Sequence, residues 1–278
     1  MELSWFESLV YGLISGLTEF LPVSSAAHQA LVLKLFGHNS SNCLVSLFVH
    51  CAVLLALYMD RHIHIQQLRR EVRLAAVPKR RRKRQPDQGR IMEVRLLRNA
   101  VIPMLLGFLI YGYLRGLGSD LHRISLFLLL NGVVMFLPVM FASGNKDARN
   151  MAGFDSLLLG LCSVLGLIPG FSRVGVMISM ALIRGVDKEN ALNWSLLLTI
   201  PAMICYGAMD LFALFTGGLV SFGIPSLLGC VLAAAAAFLG TRLAIRTMRS
   251  LVRTAGFSGF SYYCWGAALF SFIMYLSI

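Results

Sequence analysis

Charged residues are scarce in this chain of 278 residues. They make up 14% of the sequence, against 57% hydrophobic residues, and the mean hydropathy is +0.73. Soluble domains carry about 25% charged residues, so the composition excludes an ordinary soluble protein and predicts a polytopic membrane protein. The first residues, MELSWFESLV, contain acids and no basic residue. We therefore expect no cleavable secretory signal.

Acidic residues and paired cysteines are also few. The chain has 13 Asp and Glu against 25 Lys and Arg, a net charge of +12. The basic residues cluster in short polar gaps between apolar runs, which is typical of cytoplasmic loops. The six cysteines are scattered through apolar segments, so neither a disulfide framework nor a zinc site is indicated. The composition thus predicts a lipid bilayer as the surroundings and no nucleic acid as a partner.

Eight apolar regions divide the chain. Two of them, 4–37 and 153–184, are too long for one crossing, and a proline interrupts each near its middle. Because proline breaks a helix, we expect these two regions to form re-entrant helix-loop-helix pairs. The other six have about the 20 residues that a transmembrane helix needs, and they lie at 43–60, 98–117, 123–142, 190–213, 226–245 and 258–277.

The distribution of Lys and Arg sets the expected orientation. The interval 61–97 contains the run KRRRKR and should be a cytoplasmic loop. The first re-entrant pair then enters the membrane from outside and the second from the cytoplasm. This opposite orientation predicts an all-α inverted-topology repeat in a single membrane domain, 1–278, with halves 1–142 and 143–278. The alanine run at 233–237 predicts close helix packing through small residues.

The first break reads GLTEFLPVSSAAH and contains several polar groups at membrane depth. They are the carboxylate of Glu19, the hydroxyls of Ser24 and Ser25, and the imidazole of His28. Such groups face a protein interior or a wet cavity and indicate a functional site. Ser24 is placed to cap the helix that follows Pro22, and the start of that helix would attract an anion.

The second break reads PGFSRVG and carries Ser172 and Arg173. Alone, the first break is equally well explained as a polar kink with Glu19 at the membrane interface. Two broken segments in corresponding halves of a chain, however, indicate a binding site at a repeat interface. We therefore expect an acid, hydroxyls, an imidazole and a guanidinium to converge.

These two motifs, their separation and the chain length resemble the undecaprenyl-diphosphate phosphatases of the bacitracin-resistance type. That family carries a Glu/Gln-x-x-x-Glu element, a PVSSTGH-like segment and a PGxSRSG segment. The resemblance covers essentially the whole chain. It implies a multi-pass enzyme of the bacterial inner membrane that removes the terminal phosphate of undecaprenyl diphosphate and so recycles the lipid carrier of peptidoglycan synthesis.

The resemblance also implies roles for individual residues. Ser25 would be the nucleophile, His28 a proton shuttle, and Glu19 an acid/base or a metal-holding carboxylate. Arg173 would clamp the diphosphate, and the family is regarded as dependent on a divalent cation, Mg²⁺ or Ca²⁺. Ser24 and Ser172 are further candidates for substrate binding, although a turn hydroxyl at Ser172 has an equally good structural explanation.

Four positions depart from the family pattern. Ser15 stands where the family has Glu or Gln, so a metal would lose one ligand. Ala26 and Ala27 replace the usual Thr-Gly, and Val174 replaces the serine after the arginine. A polar or flexible residue is thus replaced at each of these positions, beside residues that the motifs retain.

Several alternatives stay open. A non-hydrolytic transporter or flippase of polyprenyl phosphate would also fit an inverted repeat, and an ion transporter could use Glu19 and Asp210. Asp210 is also explained by an interfacial or helix-end role, and His50 either lines the cavity or lies apart from it. The basic-loop count predicts a site open to the extracytoplasmic side. The preferred metal, the lipid chain length and the oligomeric state, including a homodimer, are left undecided by the sequence.

Overall fold

The protein is all-helical throughout the part of the chain that the computed structural model describes, residues 3–39, 41–141, 144–216, 224–254 and 257–277. Short 3₁₀ helices lie at Lys79–Arg81 and Leu137–Met140. The described residues form eleven α-helices, which are α1 (Trp5–Phe20), α2 (Ser25–Leu35), α3 (Cys43–Ala76), α4 (Gln88–Leu109), α5 (Tyr111–Gly116), α6 (Leu121–Phe136), α7 (Gly153–Leu165), α8 (Arg173–Ile183), α9 (Lys188–Thr216), α10 (Ile224–Thr254) and α11 (Ser258–Ser277).

Four stretches of helix within the described residues are long and apolar enough to cross a membrane. They are Cys43–Ala76, Leu121–Met140, Lys188–Thr216 and Leu227–Val252. Large apolar side chains stay exposed on the outside of the bundle, as bilayer lipid would require. Examples that expose more than half of their surface are Leu109, Phe212, Phe215, Leu239 and Leu276. The fold is that of a multi-pass membrane protein, as the composition predicts.

The interval 61–97, predicted as a loop, is helical at both ends. Helix α3 continues past residue 60 to Ala76, and α4 already begins at Gln88. The loop prediction was wrong here because a helix need not end where its apolar run ends. The sequence contains no Pro or Gly between 61 and Pro78, and Arg, Gln, Glu and Leu are good helix formers. Asp87 caps α4, and the N–H of Gly89 lowers the pKa of its carboxyl group by donating to it at 2.8 Å.

Both predicted breaks are present. Helix α1 ends at Phe20 and α2 starts at Ser25, while α7 ends at Leu165 and α8 starts at Arg173. Pro22 removes a backbone donor from the first break. Gly170 in the second has φ +113°, a conformation that glycine adopts without the steric cost of a side chain.

Helices α1 and α10 pack unusually closely. A Cβ atom added at Gly12 would lie 2.1 Å from the carbonyl oxygen of Ala233, and one at Gly16 would lie 2.2 Å from that of Ala237. Only glycine permits this backbone approach, which is the packing mode of small residues in membrane helices. The packing role predicted for the alanine run at 233–237 is confirmed, and α1 is held firmly enough to position Glu19 near its end.

Candidate functional site

An ion pair joins the two broken segments. Glu19 lies near the end of α1, Arg173 is the first residue of α8, and the two are 154 positions apart in the sequence. Nη2 of Arg173 donates to Oε1 of Glu19, and the two side chains are 5% and 11% exposed respectively. The predicted convergence of an acid from one segment and a guanidinium from the other is therefore confirmed.

Arg173 keeps further donors available. Its Nε and Nη1 atoms are buried and have no hydrogen-bond partner among the described residues. The guanidinium carbon lies 4.9 Å from the centre of the Tyr206 ring, a favourable cation–π contact. A buried N–H group without a partner costs about 1–3 kcal/mol. These two nitrogens are therefore suited to donate to an anion that enters the site.

Glu19 and Arg173 lie on the wall of a cavity of about 460 Å³. Ser25 and Ser172 from the predicted site also line this cavity, whereas Ser24 and His28 are absent from its lining. Other polar side chains also line the wall, and of these the sequence had raised only His50 as a candidate for the cavity. They include Tyr11, Gln29, His50, Tyr111, Arg115 and Tyr206.

Ser25 is the first residue of α2. Its hydroxyl donates to the carbonyl oxygen of Ser15 at 3.4 Å, and Nε2 of Gln29 donates to the same hydroxyl at 3.2 Å. The Ser15 hydroxyl itself donates to the carbonyl of Tyr11 at 2.7 Å and is buried in α1. The Ser15 side chain, which stands where the family has Glu or Gln, therefore bonds to a carbonyl of its own helix and does not face the cavity.

Ser24 is fully buried and holds backbone together. Its hydroxyl accepts from the N–H of Ala27 at 3.4 Å, which caps α2 as predicted, and from the N–H of Gly170 at 3.0 Å. Its φ angle is +70°, which non-glycine residues rarely adopt. The hydroxyl has no access to the cavity, so its predicted contact with substrate does not fit this position. Its observed contacts link the two broken segments.

His28 points away from Ser25. Its Nδ1 is 2.8 Å from the carbonyl oxygen of Ser24, and its Nε2 is 2.8 Å from the hydroxyl of Tyr263 in α11. The imidazole also stacks on the Tyr263 ring at 5.6 Å. Gln29, one full helical turn after Ser25, makes the contact with the Ser25 hydroxyl that the sequence predicted for His28. The predicted proton shuttle between Ser25 and His28 therefore does not match the geometry, because both ring nitrogens have other partners.

Asn131 bridges the two breaks and was not found from the sequence. Its Oδ1 accepts from the N–H of Ser172 at 2.9 Å, and its Nδ2 donates to the carbonyl of Pro22 at 3.3 Å. The hydroxyl of Ser172 accepts from the N–H of Gly175 at 3.2 Å and donates to the carbonyl of Leu21 at 3.4 Å. An Asn inside the apolar region 123–142 was the available signal, since polar groups at membrane depth need partners.

His50 and Asp210 form a second ionisable pair at the cavity. Nδ1 of His50 lies 2.6 Å from Oδ2 of Asp210, which connects α3 with α9. The imidazole stacks on Tyr206 with ring centres 5.2 Å apart. Of the two readings of His50, the structure supports the one that places it in the cavity. A helix-end role for Asp210 does not match, because α9 continues to Thr216.

The side chains present do not fit a metal site formed by the protein alone. The described residues contain no group of three or more His, Cys, Asp or Glu side chains that could hold a metal ion. Glu19, the predicted ligand, is bonded to Arg173, and Asp210 is bonded to His50. Hard cations such as Mg²⁺ and Ca²⁺ require about six oxygen ligands or more.

The fold and the site define the general class, which is a helical membrane protein with a polar cavity between two broken helices. Comparisons with known proteins give the family. The model of the family described as bacitracin resistance protein BacA matches residues 8–270. A protein of Carboxydothermus hydrogenoformans called undecaprenyl-diphosphatase is 29% identical over 260 residues, which cover 94% of this chain and 93% of the relative. Undecaprenyl-diphosphatase 1 of Shouchella clausii is 30% identical over 276 residues, covering 98% and 96% respectively. The chain belongs to the bacitracin resistance protein BacA family.

Proposed function

We propose that this protein hydrolyses undecaprenyl diphosphate to undecaprenyl phosphate and inorganic phosphate. The observation that carries the proposal is the Glu19–Arg173 pair in one cavity with the Ser25 hydroxyl. Two buried nitrogens of Arg173 have no partner among the residues that the structure describes. Membership of the BacA family and the names of the relatives support this activity. The product is the lipid carrier of cell-wall synthesis, so the activity would recycle the carrier.

Arg173 would bind the terminal phosphate. A guanidinium donates two parallel hydrogen bonds to phosphate oxygens, and its charge acts strongly in a site that excludes water. Glu19 would hold this guanidinium in place. Arg115 is a second arginine of the same cavity, and its Nη1 donates to the Tyr111 hydroxyl at 2.9 Å. A diphosphate carries charge on both phosphates, so we assign Arg115 to the phosphate nearer the lipid.

Ser25 would be the nucleophile. It lies at the N-terminus of α2, where unpaired N–H groups and the helix dipole favour negative charge. Attack of its oxygen on the terminal phosphorus forms an O–P bond and breaks the anhydride bond, so that undecaprenyl phosphate leaves. Water then hydrolyses the phosphoserine. A hydroxyl needs a base to take its proton.

A requirement for Mg²⁺ or Ca²⁺, which the family resemblance implies, stays a prediction. The side chains of this site give no reason to assign a step to a protein-held metal. Phosphate release measured with EDTA and after addition of either cation tests the requirement. Rates that are independent of both treatments would contradict it.

Six crossings with two re-entrant pairs in an inverted repeat form part of the same proposal. The helix pairs support it, since α1 packs on α10 as α7 packs on α4, and α3 packs on α10 as α9 packs on α4. A two-fold axis between the halves would exchange α1 with α7, α3 with α9 and α4 with α10, and each contact would then correspond to the other of its pair. Gly16 approaches the backbone of Ala237, and Gly160 approaches that of Ala100 in the corresponding place.

We further propose that the cavity opens to the extracytoplasmic side of the plasma membrane, because the basic interval 61–97 should be cytoplasmic. Ala26 lines the cavity. In a variant without the six native cysteines, A26C should react in intact cells with a maleimide that cannot cross membranes. Labelling only in inside-out vesicles would show the opposite orientation.

A homodimer stays an expectation. Measuring the mass of the protein in nanodiscs tests it.

The activity is tested by phosphate release from undecaprenyl diphosphate by the purified protein in detergent. We expect release by the native protein and its loss in S25A and R173A variants that remain folded. A flippase of polyprenyl phosphate, which the names of the relatives do not favour, predicts lipid translocation in vesicles without phosphate release. Translocation that is unchanged by S25A, without hydrolysis, would overturn the proposal.

A further inference from the structure

His50 lines the cavity and pairs with Asp210 behind it, and this pair has no part in the mechanism derived above. Asp210 is 7% exposed as a residue, and the His50 side chain is 16% exposed. A carboxylate only accepts hydrogen bonds, so the 2.6 Å contact with Oδ2 places the ring proton on Nδ1. The other ring nitrogen, Nε2, then carries the lone pair. A carboxylate that fixes a histidine in this tautomer creates an oriented base.

Tyr206 connects this pair to the phosphate-binding arginine. The His50 ring stacks on the Tyr206 ring, with an angle of 16° between the planes. The Arg173 guanidinium lies 4.9 Å from the centre of the Tyr206 ring. His50, Tyr206 and Arg173 all line the cavity that Ser25 also lines. The imidazole is therefore held in the same cavity as the arginine that would bind the anion.

His50 is the one histidine among the described residues that line this cavity. His28 has both ring nitrogens engaged, with Ser24 and Tyr263. Glu19 is the other candidate base, and its carboxylate is committed to the Arg173 guanidinium. The group free to exchange a proton within the cavity is thus the imidazole of α3.

We infer that His50, oriented by Asp210, is the proton-transferring catalytic residue of this site, an inference that rests on the proposed phosphatase activity. Nε2 takes the proton of the Ser25 hydroxyl, directly or through one water, as the Ser25 oxygen bonds to the terminal phosphorus and the anhydride bond breaks. Undecaprenyl phosphate leaves with the electron pair of the broken bond. Water then attacks the phosphoserine, His50 returns its proton to the Ser25 oxygen, and both protons of the water leave on inorganic phosphate.

Phosphate release by the full-length protein in detergent tests this assignment, with undecaprenyl diphosphate as substrate. H50A should lower kcat by about 10²-fold or more, the usual contribution of a general base, with little change in KM. H50Q can still donate to Asp210 but takes no proton, so it should lose as much activity while it remains folded. D210N, which allows the wrong tautomer, should lose about tenfold or more. H62Q is the matched control and should keep the native rate, because the His62 ring bonds to the carbonyl oxygen of Met59 and lies outside the cavity lining.

Two readouts separate a catalytic role from a structural one. Added imidazole should restore phosphate release to H50A in proportion to its concentration and should not restore it to H28A. If His50 is the base, the acid limb of the kcat/KM–pH profile should be present in the native protein and absent in H50A. A limb that arises from Glu19 would instead persist in H50A. Tyrosine and arginine cannot produce an acid limb, because they titrate well above neutral pH. Besides Asp210, which pairs with His50, the titratable and charged groups that line the cavity with His50 are Tyr11 and Glu19 of α1, Tyr111 and Arg115 of α5, Arg173 of α8, and Tyr206 of α9.

The outcomes are distinct. If the native protein releases no phosphate, the proposed function fails. If the native protein is active and H50Q retains its rate, or if imidazole rescues H28A in place of H50A, the assignment of His50 fails while the phosphatase activity stands.

Discussion

The hydroxyl of Ser24 accepts a hydrogen bond from the backbone N–H of Gly170 at 3.0 Å, across 146 positions of sequence. The same oxygen caps α2 through Ala27. One side chain therefore fixes the start of the helix that carries Ser25 and ties it to the loop before Arg173. The relative position of nucleophile and arginine depends on this contact.

Replacing Ser24 separates the effect of its hydroxyl from that of its backbone conformation. S24A should lower stability by about 1 to 2 kcal/mol, because the cap is lost while φ stays at an unfavourable value. S24G loses the same hydroxyl but adopts φ +70° freely, so it should be the more stable of the two. Both should reduce phosphate release. Thermal unfolding in detergent and rate measurements check this, and a fully active S24A would show that the contact does not position the site.

Arg173 should not tolerate replacement by lysine. Lysine keeps the positive charge but cannot bind phosphate with two parallel hydrogen bonds or stack on Tyr206 as a planar group. We expect R173K to reduce kcat/KM for undecaprenyl diphosphate by about 10²-fold. R184K is the matched control, because Arg184 pairs with Asp155 outside the cavity. Equal losses in both variants would indicate a general effect on folding instead of a lost phosphate contact.

The α1–α10 interface should be sensitive to a single methyl group. G16A places a Cβ atom 2.2 Å from the carbonyl oxygen of Ala237, so the helices must separate, at a cost of about 2 kcal/mol. Because α1 carries Glu19, phosphate release should also fall. G266A is the control, since an added Cβ there meets no atom of the described residues within 4 Å, and Ala favours a helix over Gly. A G16A protein with native thermal stability would contradict the close approach.

Much of this architecture could be predicted from the sequence. Long apolar runs locate the helices, and Pro22 and the Pro-Gly pair at 169–170 locate the two breaks, because their effects on the backbone are local. The meeting of Glu19 with Arg173 could also be predicted, since a buried charge needs a partner. These predictions depend on chain chemistry and on the general cost of polar groups in lipid.

The direction of individual side chains could not be predicted in the same way. His28 and Gln29 are neighbours on α2, and which of them reaches Ser25 depends on Tyr263, far away in α11. Likewise, His50 and Asp210 pair only because α3 packs against α9. One sequence without structure gives the residue types at each depth but not the rotation of each helix about its axis.

Asn131 should be required for the two breaks to hold their shape. N131L keeps a similar volume but leaves the Ser172 N–H buried without a partner among the described residues, at about 1 to 3 kcal/mol. The Pro22 carbonyl would keep only the weak thiol donor of Cys264 at 3.6 Å. N131D retains the acceptor for Ser172 and loses the amide donor to the Pro22 carbonyl and the Cys264 sulfur, so we expect it to keep more phosphate release than N131L if the Ser172 contact dominates. S271A is the control, because Ser271 makes one buried hydrogen bond, to the Leu121 carbonyl at 3.0 Å, between α11 and the start of α6. It should lower the unfolding temperature slightly and leave kcat unchanged, whereas N131L should lower both. If N131L matched S271A in kcat, the bridge would contribute stability alone, and the loops would be positioned by Ser24 and the Glu19–Arg173 pair.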